Sequence, residues 1–491
     1  MSFTYELRVE DIQAQAEALV EFHRQYGVYF QTKTRDNSPQ ALEYLKGQLL
    51  LKSKRNMSQM ATEVTAINEQ ALSHFTSISP WDDARLTVQI GQDAVILIGP
   101  QGALILDESG NPKQGDKSVG VARQYCGRLG KVDNCQVGVF VAYAKAGQTT
   151  LIDKRLYLPQ EWSDDPDRCR QAGVPEAEIV FRKKSELGLE LILQARKNDI
   201  PFTFVDMDAH YGQQAWLLSR LAAENIEYMA EIPADTRVYL AYPPVGIPDT
   251  KGNKGRKPSK NRVLDGQPIE VRSLLATDKL TWTLMKIRDT APGELWIKFA
   301  AVQVYRLQDE LPVAQPVWLC LRQELETGEV KFAFSNAPAN SPKKVLADKM
   351  CTRYWVERAL EDAKGLAGLA EYQVIGWRGW HHHMTMTMLA MLFLLTLRKN
   401  LVAQAPMLTL QDAKQILEMV LPKKTLTLED AVKIIEKKHL NRYYSRNSRL
   451  KKQRKQLQMH HFTTRHQDLV STKFCLLCGF GAWYRSILPP E

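Results

Sequence analysis

The stretch PFTFVDMDAHYG, residues 201–212, decides the fold predicted for the middle of the chain. Its apolar run, 202–205, is typical of a buried strand, and Asp208 closes that segment. The sequence that follows predicts a helix over 213–223 and a strand over 226–231. Strand, helix and strand in this order indicate an α/β domain.

The sequence before this stretch predicts more strands and one long helix. Runs rich in apolar and β-branched residues predict strands at 94–99, 103–106, 137–143 and 149–158. Pro175 begins an amphipathic helix that extends to about Arg196. Residues 86–235 therefore contain a series of strands, a helix, a strand, a helix and a strand. This is the order of an RNase H-like α/β domain.

The rest of the sequence divides into four regions. Residues 1–85 have helical periodicity and predict a small basic bundle, which either binds DNA or caps the main domain. Residues 236–335 predict a β-rich insertion that contains a long Gly-, Pro- and Lys-rich loop. Residues 336–400 return to helix and carry the second part of the core. Residues 401–491 form a polar, basic region, which we expect to contact DNA or a second copy of the chain.

The composition excludes several classes of protein. The chain has 491 residues, of which 44% are apolar and 24% charged, so it is not a disordered, collagen-like or small disulfide-stabilised protein. Its net charge of +10 favours a polyanionic partner. Seven cysteines are few and odd in number, which favours a reducing cytoplasm. The most apolar stretch, 388–397, is too short to span a membrane, and we expect no membrane partner.

Three carboxylates stand where metal-dependent chemistry would need them. Asp107 ends the run ALILD, Asp208 ends the run FTFVDMD, and Glu357 lies in the helical segment RYWVERALEDAK. Carboxylates at adjacent strand ends, with one more on a nearby helix, can bind two Mg²⁺ ions. Two such ions activate the attacking oxygen and stabilise the leaving oxygen in phosphodiester displacement. A single acid at a strand end is more often only a solubilising loop residue.

Two basic residues flank Glu357 at helical spacing. Arg353 precedes it by four residues and Lys364 follows it by seven, so all three lie near one helix face. A metal ligand that lies beside a row of nucleic-acid phosphates would need basic residues on both sides of it along the helix face. Solvated helices also carry similar triplets of charged residues. The three residues indicate a catalytic role only together with the other two acids, Asp107 and Asp208.

Three motifs together resemble the DDE transposases of bacterial insertion sequences, in the IS-four-like group. They are D-E-S-G-N-P-K-Q-G at 107–115, D-A-H-Y-G at 208–212 and R-x3-E-x6-K at 353–364. The second motif selects Asp208 rather than Asp206 as the functional acid. The sequence departs from the group at Met350, where the group's signature has a tyrosine, and Tyr354 lies one helical turn further on.

The resemblance implies a cut-and-paste DNA transposase with an RNase H-like catalytic core. Asp107, Asp208 and Glu357 would bind two Mg²⁺ ions, and Mn²⁺ would substitute. The enzyme would cut the transposon ends through a hairpin intermediate, join them to target DNA, and act as a homodimer associated with the nucleoid in the cytoplasm. A flipped base of such a hairpin usually stacks on an aromatic ring. The candidates by residue type are Trp282, Trp296, Trp318, Trp355, Trp377 and Trp380.

Basic residues outside the three motifs are candidate DNA contacts. The loop 251–262 and the run 437–455 resemble electrostatic tracks on DNA, although charge runs are often only solvated. Together with Arg353 and Lys364, the candidates are Lys113, Lys254, Arg256, Lys257, Arg446, Lys451 and Lys452. For Lys113 the alternative is an exposed lysine in a turn.

Two other patterns lead to further hypotheses. Cys475 and Cys478 form one CxxC pair preceded by histidines, and a zinc site would need suitably spaced partners. The three histidines at 381–383 cannot chelate one metal together because consecutive helical residues diverge, so they indicate helix packing or DNA contact.

Three alternative functions remain open from the sequence. A domesticated copy would bind DNA without cutting it. A metal-dependent nuclease on the same fold would cut DNA without joining it. A basic scaffold protein would show no dependence on metal ions.

Overall fold

The computed structural model describes residues 5–64, 66–248, 258–290, 293–425, 427–432, 434–436 and 438–454. The chain forms two compact units, Met1–Lys423 and Lys424–Glu491. The described part of the second unit is helical over 428–432, 434–436 and 438–454. The elements given below belong to the first unit.

The N-terminal region is helical, as predicted. Among the described residues, five α-helices precede the first strand: α1 (Val9–Gln25), α2 (Ser38–Leu50), α3 (Met57–Glu63), α4 (Glu69–Ser77) and α5 (Asp83–Ile98). The strand predicted at 94–99 is wrong, because these residues form the end of α5 and its C-cap. Leu86, Ile90 and Ala94 are buried at a spacing of four, so a helical face buries the apolar residues of this run.

A 13-stranded mixed sheet forms the centre of the first unit. Its first six strands are β1 (Gly102–Pro112), β2 (Ala122–Cys126), β3 (Lys131–Lys145), β4 (Gln148–Leu156), β5 (Phe202–Met207) and β6 (Tyr228–Ile232). Strand β1 is antiparallel to β3 and parallel to β5, and β5 is parallel to β6. The parallel strands leave their carboxyl ends at one edge of the sheet.

Helices connect the strands in the predicted order. They are α6 (Gln160–Ser163), α7 (Pro166–Gln171) and α8 (Lys184–Lys197) before β5, and α9 (Ala209–Gly212) and α10 (Ala215–Ala223) after it. The long helix predicted from Pro175 begins only at Lys184. Pro175 instead precedes a short 3₁₀ turn, Glu176–Glu178. The sequence pattern thus identified the helix but placed its start too early.

The region 236–335 is rich in strands, as predicted, but most of these strands extend the same sheet. They are β7 (Arg237–Tyr239), β8 (Val245–Gly246), β9 (Arg262–Val263), β10 (Ile269–Glu270), β11 (Thr283–Thr290), β12 (Gly293–Gln308), β13 (Leu311–Pro312), β14 (Val317–Glu324) and β15 (Val330–Ser335). Strand β15 pairs antiparallel with β6 and with β14, and β14 pairs with β12. Strands β8 and β9 form a separate two-stranded ribbon.

Four helices complete the first unit. They are α11 (Lys343–Met350), α12 (Tyr354–Ala367), α13 (Trp377–Asn400) and α14 (Leu410–Val420). Helix α14 lies in the region predicted as a polar tail, yet it buries Ala413, Ile416 and Leu417 and belongs to the compact first unit. None of the helices in the described ranges combines the length and the apolar character that a transmembrane span requires.

The N-terminal helices pack on α13, which is buried along most of its length. The hydroxyl of Tyr44 lies 2.7 Å from Nδ1 of His383, and the ring of Trp81 stacks on His382 with 3.9 Å between centroids. The amide of Gln48 donates to the hydroxyl of Thr387. The packing is therefore that of a helical cap on the main domain, and the histidines take part in helix packing.

Candidate active site

The first acid, Asp107, directly follows the buried run 102–106 but lies inside β1 rather than at its end, because β1 continues to Pro112 in its pairing with β3. Leu106 pairs with Met207 in the parallel register of β1 and β5, so Asp107 and Asp208 each follow one member of this pair. The Oδ1 of Asp107 accepts the backbone N–H of Glu108 at 2.7 Å. Because the two strands are parallel, these acids lie at the same edge of the sheet.

The second acid, Asp208, is also the N-cap of α9. Its Oδ1 accepts the backbone N–H groups of His210 at 3.0 Å and of Tyr211 at 3.3 Å. Tyr211 is buried, and its hydroxyl donates to Glu108 at 3.3 Å. Much of the D-x-x-Y-G motif therefore has a structural role, which is to hold the Asp208 carboxylate in one orientation.

The glycine of the same motif allows close packing on β6. A Cβ atom at Gly212 would lie 1.9 Å from the backbone oxygen of Glu231. Any larger residue would therefore force α9 away from the sheet. Asp206 takes no part in the site surface, because it is buried, and this burial raises its pKa well above the usual range.

The third acid, Glu357, lies in the first turn of α12, and Arg353 lies one helical turn before it. The Nη2 of Arg353 is 3.0 Å from Oε1 of Glu357, and its Nη1 is 3.6 Å from Oδ2 of Asp107. Its Nε is 3.6 Å from Oε2 of Glu231. Arg353 thus contacts two of the three predicted acids and one further carboxylate.

Burial and these charges act on the pKa values of the site. Burial raises the pKa of Asp107 to about 7; the charge of Arg353 opposes this shift, and that of Asp208 adds to it. Burial lowers the pKa of Arg353, but the charges of Asp107 and Asp208 outweigh it and raise that pKa above its ordinary value. The acids and the arginine therefore form one electrostatic unit.

Glu231 is the residue that the sequence analysis missed. It lies near the end of β6 and pairs with Ala333 of β15. Its position after an apolar run was the same signal that identified Asp107 and Asp208, but no motif drew attention to it. Its carboxylate comes to the site because β6 is the next strand after β5 in the sheet.

The donor chemistry of the site fits a divalent cation, since several carboxylates face a single guanidinium and supply oxygen ligands. In the structure, however, the carboxylates of Asp107, Glu231 and Glu357 are paired with Arg353. In the part of the chain that the structure describes, no group of three or more His, Cys, Asp or Glu side chains is arranged to bind a metal ion.

The predicted basic contacts differ in their surroundings. Lys364 lies in the last turn of α12, where burial lowers its pKa and the charge of Asp107 partly restores it. Lys113 is not an exposed lysine in a turn: its Nζ lies 3.5 Å from the ring centroid of Tyr372 and donates to the backbone oxygen of Tyr372 at 3.2 Å. Burial lowers the pKa of Lys113 to about 8. Lys113 is therefore half-buried, and Tyr372 engages its amine.

The other predicted basic contacts lie in two places. Arg446, Lys451 and Lys452 are exposed on the helical segment of the second unit. Lys254, Arg256, Lys257, Cys475 and Cys478 lie outside the described residues.

A groove of about 610 Å³ opens beside Glu357. Its walls include Glu231, Arg288, Trp296, Arg322, Arg353 and Tyr354. The guanidinium of Arg288 lies 4.3 Å from the ring centroid of Tyr354. Met350 is buried, whereas Tyr354 is exposed and lines the same groove as Glu357, one helical turn later than the tyrosine of the group's signature.

The six candidate tryptophans, all within the described residues, differ in exposure. Trp296 is 38% exposed and lines the groove, whereas Trp380 is buried. The other four are partly buried against the core: Trp282, Trp318, Trp355 and Trp377. Trp296 is therefore the one of the six with a face open to a ligand beside Glu357.

Comparisons with known proteins place these features in a family. The chain matches the DDE superfamily endonuclease family over residues 27–293, a range that contains Asp107 and Asp208. It is 28% identical, over 313 residues, to the probable transposase for insertion sequence element IS701 of Microchaete diplosiphon; the aligned part covers 58% of this chain and 79% of that protein. These two findings confirm the resemblance to insertion-sequence transposases.

A solved structure with some similarity is the cryo-EM structure of a piggyBac transposase synaptic complex with hairpin DNA. The TM-score is 0.36 at 10% sequence identity, over 85% of this chain and 82% of that chain.

Proposed function

This chain belongs to the DDE superfamily of endonucleases, and on that premise we propose that it is a transposase that cuts DNA at the ends of an insertion sequence and joins them to target DNA. The observation that carries the proposal is the meeting of Asp107, Glu357 and Arg353 at the edge of the sheet where Asp208 also lies. Phosphodiester chemistry on a polyanion needs both the acids and the adjacent positive charge.

We propose that the core of the enzyme is RNase H-like. Strand β1 lies between antiparallel β3 and parallel β5, with β6 beyond, and helices α8 and α10 follow in the order expected from the sequence. This arrangement supports placing Asp107 within β1, directly after its parallel pairing with β5, and Asp208 directly after the end of β5.

Enzymes of this superfamily generally use divalent metal ions. We propose that Asp107, Asp208 and Glu357 bind two Mg²⁺ ions, for which Mn²⁺ can substitute. When bound, such ions activate the attacking oxygen and stabilise the leaving oxygen. The N–H groups of His210 and Tyr211 hold the Asp208 carboxylate, while Arg353 and Lys364 are proposed to contact the DNA phosphates.

The proposed reaction has four steps. Water attacks the phosphodiester at the transposon end and releases a 3′ hydroxyl. This hydroxyl attacks the opposite strand, which frees the flanking DNA and closes a hairpin. Water then opens the hairpin, and the 3′ hydroxyl attacks target DNA. Trp296 is proposed to stack on a base flipped out of the hairpin, because it is the exposed tryptophan of the groove beside Glu357.

The DNA contacts are proposed to include the basic helical segment of the second unit, through Arg446, Lys451 and Lys452. We also propose that the enzyme acts as a homodimer on paired transposon ends. Exposed basic side chains on one helix are suited to contact phosphates by charge alone.

The test is a cleavage assay on DNA that carries the element's own ends. We expect the unmodified protein with Mg²⁺ to give nicks, hairpins and joined products. Asp208→Asn should lower cleavage by at least about 10²-fold while keeping DNA binding, because a neutral amide is a weaker cation ligand. Asp133→Asn, an exposed acid on β3 paired with Lys131, is the matched control and should cleave normally.

Other outcomes would identify another function. Nicks without joined products would indicate a nuclease on the same fold. Binding by both proteins without any cleavage would indicate a DNA-binding protein that does not cut. Cleavage by Asp208→Asn at the unmodified rate would contradict the site assignment.

A further inference from the structure

We propose that Glu231 is a positioning residue, which holds Arg353 at the active site when Asp107 and Glu357 release it to bind metal ions. The inference rests on the proposed metal-binding function of the two acids. Glu231 itself is not assigned as a metal ligand. Its role is to act through Arg353.

Arg353 is shared among three carboxylates and is held firmly by only one. Its contact with Glu357, at 3.0 Å, is a hydrogen bond, whereas those with Asp107 and Glu231 are 3.6 Å ion pairs. Its Nη1 has no hydrogen-bond partner among the described residues. A guanidinium held in this way can exchange partners with small movements.

The three acids contact different atoms of the guanidinium. Asp107 and Glu357 face the two terminal nitrogens, and Glu231 faces Nε. Because the Nε contact is separate, it can persist when the terminal nitrogens lose their partners. A metal ion and Arg353 would compete for the oxygens of Asp107 and Glu357, but not for those of Glu231.

Arg353 needs such a partner because its side chain is only 16% exposed. A guanidinium that far from water is costly when no counter-charge faces it. Glu231 is equally shielded and is fixed by the pairing of β6 with β15. Its other titratable neighbours are Asp206, whose buried carboxyl lies on β5, and Arg322, on β14. The sheet therefore holds Glu231 in place on the Nε side of Arg353.

The experiment measures Mn²⁺ binding to the full chain without DNA, by calorimetry or by the electron spin resonance of free Mn²⁺. We expect Glu231→Gln to weaken binding roughly fivefold or more, because Arg353 would then stay on Asp107 and Glu357. Arg353→Gln should strengthen binding, since it removes the competitor. In the Arg353→Gln background, Glu231→Gln should change binding less than about twofold.

Three control variants accompany this double-mutant cycle of Glu231→Gln and Arg353→Gln. Glu227→Gln, which removes a similarly shielded acid paired with Lys349 just before β6, should leave Mn²⁺ binding unchanged. Asp208→Asn should abolish binding at the site. Glu231→Asp keeps the charge and should restore part of the affinity. Should the Glu231→Gln chain fail to fold, as judged by circular dichroism, Glu231→Asp replaces it in the same cycle with a smaller effect in the same direction.

Each contrary result has a distinct meaning. Unchanged binding in Glu231→Gln, together with lost binding in Asp208→Asn, overturns the role of Glu231 alone. An equal effect of Glu231→Gln with and without Arg353 also overturns it, since Glu231 would then act directly on the metal. Undiminished binding in Asp208→Asn overturns the proposed metal site, and the inference fails with it.

Discussion

The Nη1 of Arg55 lies 2.7 Å from Oε1 of Glu371, and the backbone N–H of Arg55 donates to Oε2 of the same side chain at 2.8 Å. Arg55 is 1% exposed, and its Nη2 donates to the backbone oxygen of Gly365 in α12 at 2.7 Å. This one side chain joins the N-terminal cap to the helix that carries Glu357. The cap therefore helps to hold the helix that carries one acid of the proposed active site.

We expect Arg55→Leu to lower the free energy of unfolding by about 3 kcal/mol, because it removes one partner of a buried ion pair and leaves the other uncompensated. Urea denaturation would measure the change. Lys52→Ala is the control: Lys52 is 82% exposed and lies 3.8 Å from Glu418, so its loss should cost less than about 1 kcal/mol. Equal costs for the two variants would contradict the proposed importance of the Arg55 pair.

Gly212→Ala should damage the site through packing alone. The new Cβ would overlap the backbone oxygen of Glu231, so α9 must shift and carry the Asp208 carboxylate with it. We expect a loss of about 1–3 kcal/mol in stability and a large loss of cleavage. Gly365→Ala, in α12 with open space around its Cβ position, should instead be neutral or stabilising. Normal cleavage by Gly212→Ala would show that the motif glycine is dispensable.

The stability of the protein should fall in mild acid because of its buried histidines. Burial lowers the pKa of His382 to about 4, whereas an unfolded histidine has a pKa of about 6.5. As the pH falls through this interval, the unfolded chain takes up a proton that the folded chain does not. The free energy of unfolding therefore decreases from about pH 6.5 down to about pH 4, below which the folded histidine is protonated too.

The variant His382→Phe tests this dependence. The phenyl ring can keep the stacking on Trp81 but removes one titrating group. We expect the loss of stability between about pH 6.5 and pH 4.5 to be smaller by about 1 kcal/mol or more in the variant. Urea unfolding at several pH values gives the comparison. Parallel curves for the two proteins would exclude His382 as a source of the acid sensitivity.

Trp296→Ala should separate the two chemical steps at the transposon end. The first nick needs no stacked base, so its rate should change little. Hairpin formation should fall by about tenfold or more, because base stacking on an aromatic ring is worth about 1–3 kcal/mol. Trp318→Ala is the matched control, since Trp318 is partly buried and its Nε1 donates to the backbone oxygen of Pro338. An equal loss of nicking and hairpins in Trp296→Ala would point to a general defect.

Charge reversal on the helical segment of the second unit should weaken DNA binding, because it removes part of the electrostatic contribution to the affinity. The triple variant Arg446→Glu, Lys451→Glu and Lys452→Glu should bind less tightly to any DNA sequence, and its affinity should depend less steeply on salt. Fluorescence anisotropy at several salt concentrations measures both quantities. An unchanged salt dependence would place the phosphate contacts elsewhere on the protein.

Local sequence patterns determined the order of the elements and the residue types at their ends. The apolar runs before Asp107 and Asp208 fold as strands because their side chains suit a buried sheet. The four-residue spacing predicts that Arg353 and Glu357 share one helix face. In the structure Arg353 is the N-cap of α12 and Glu357 lies in its first turn, and their side chains are in contact. Such interactions span a few residues, so a single sequence reveals them.

Some local patterns were ambiguous. Residues 94–99 are apolar enough for either a strand or a helix end, and only packing against the core selects the helix. Lys113 follows Asp107 as a phosphate contact would, yet Tyr372 engages its amine. That aromatic partner lies far along the chain, so no pattern around Lys113 could indicate it.

The tertiary structure alone decided which distant residues share the site. Asp107 meets Asp208 because β1 and β5 pair in parallel, and Glu231 reaches Arg353 because β6 lies next to β5 while α12 packs against the sheet. The strands of 236–335 extend this sheet because β15 pairs with β6. Local periodicity indicates which face of a helix or strand is buried. Contacts between distant parts of the chain supply the free energy that selects which strand lies next to which, so a local pattern cannot indicate the neighbour.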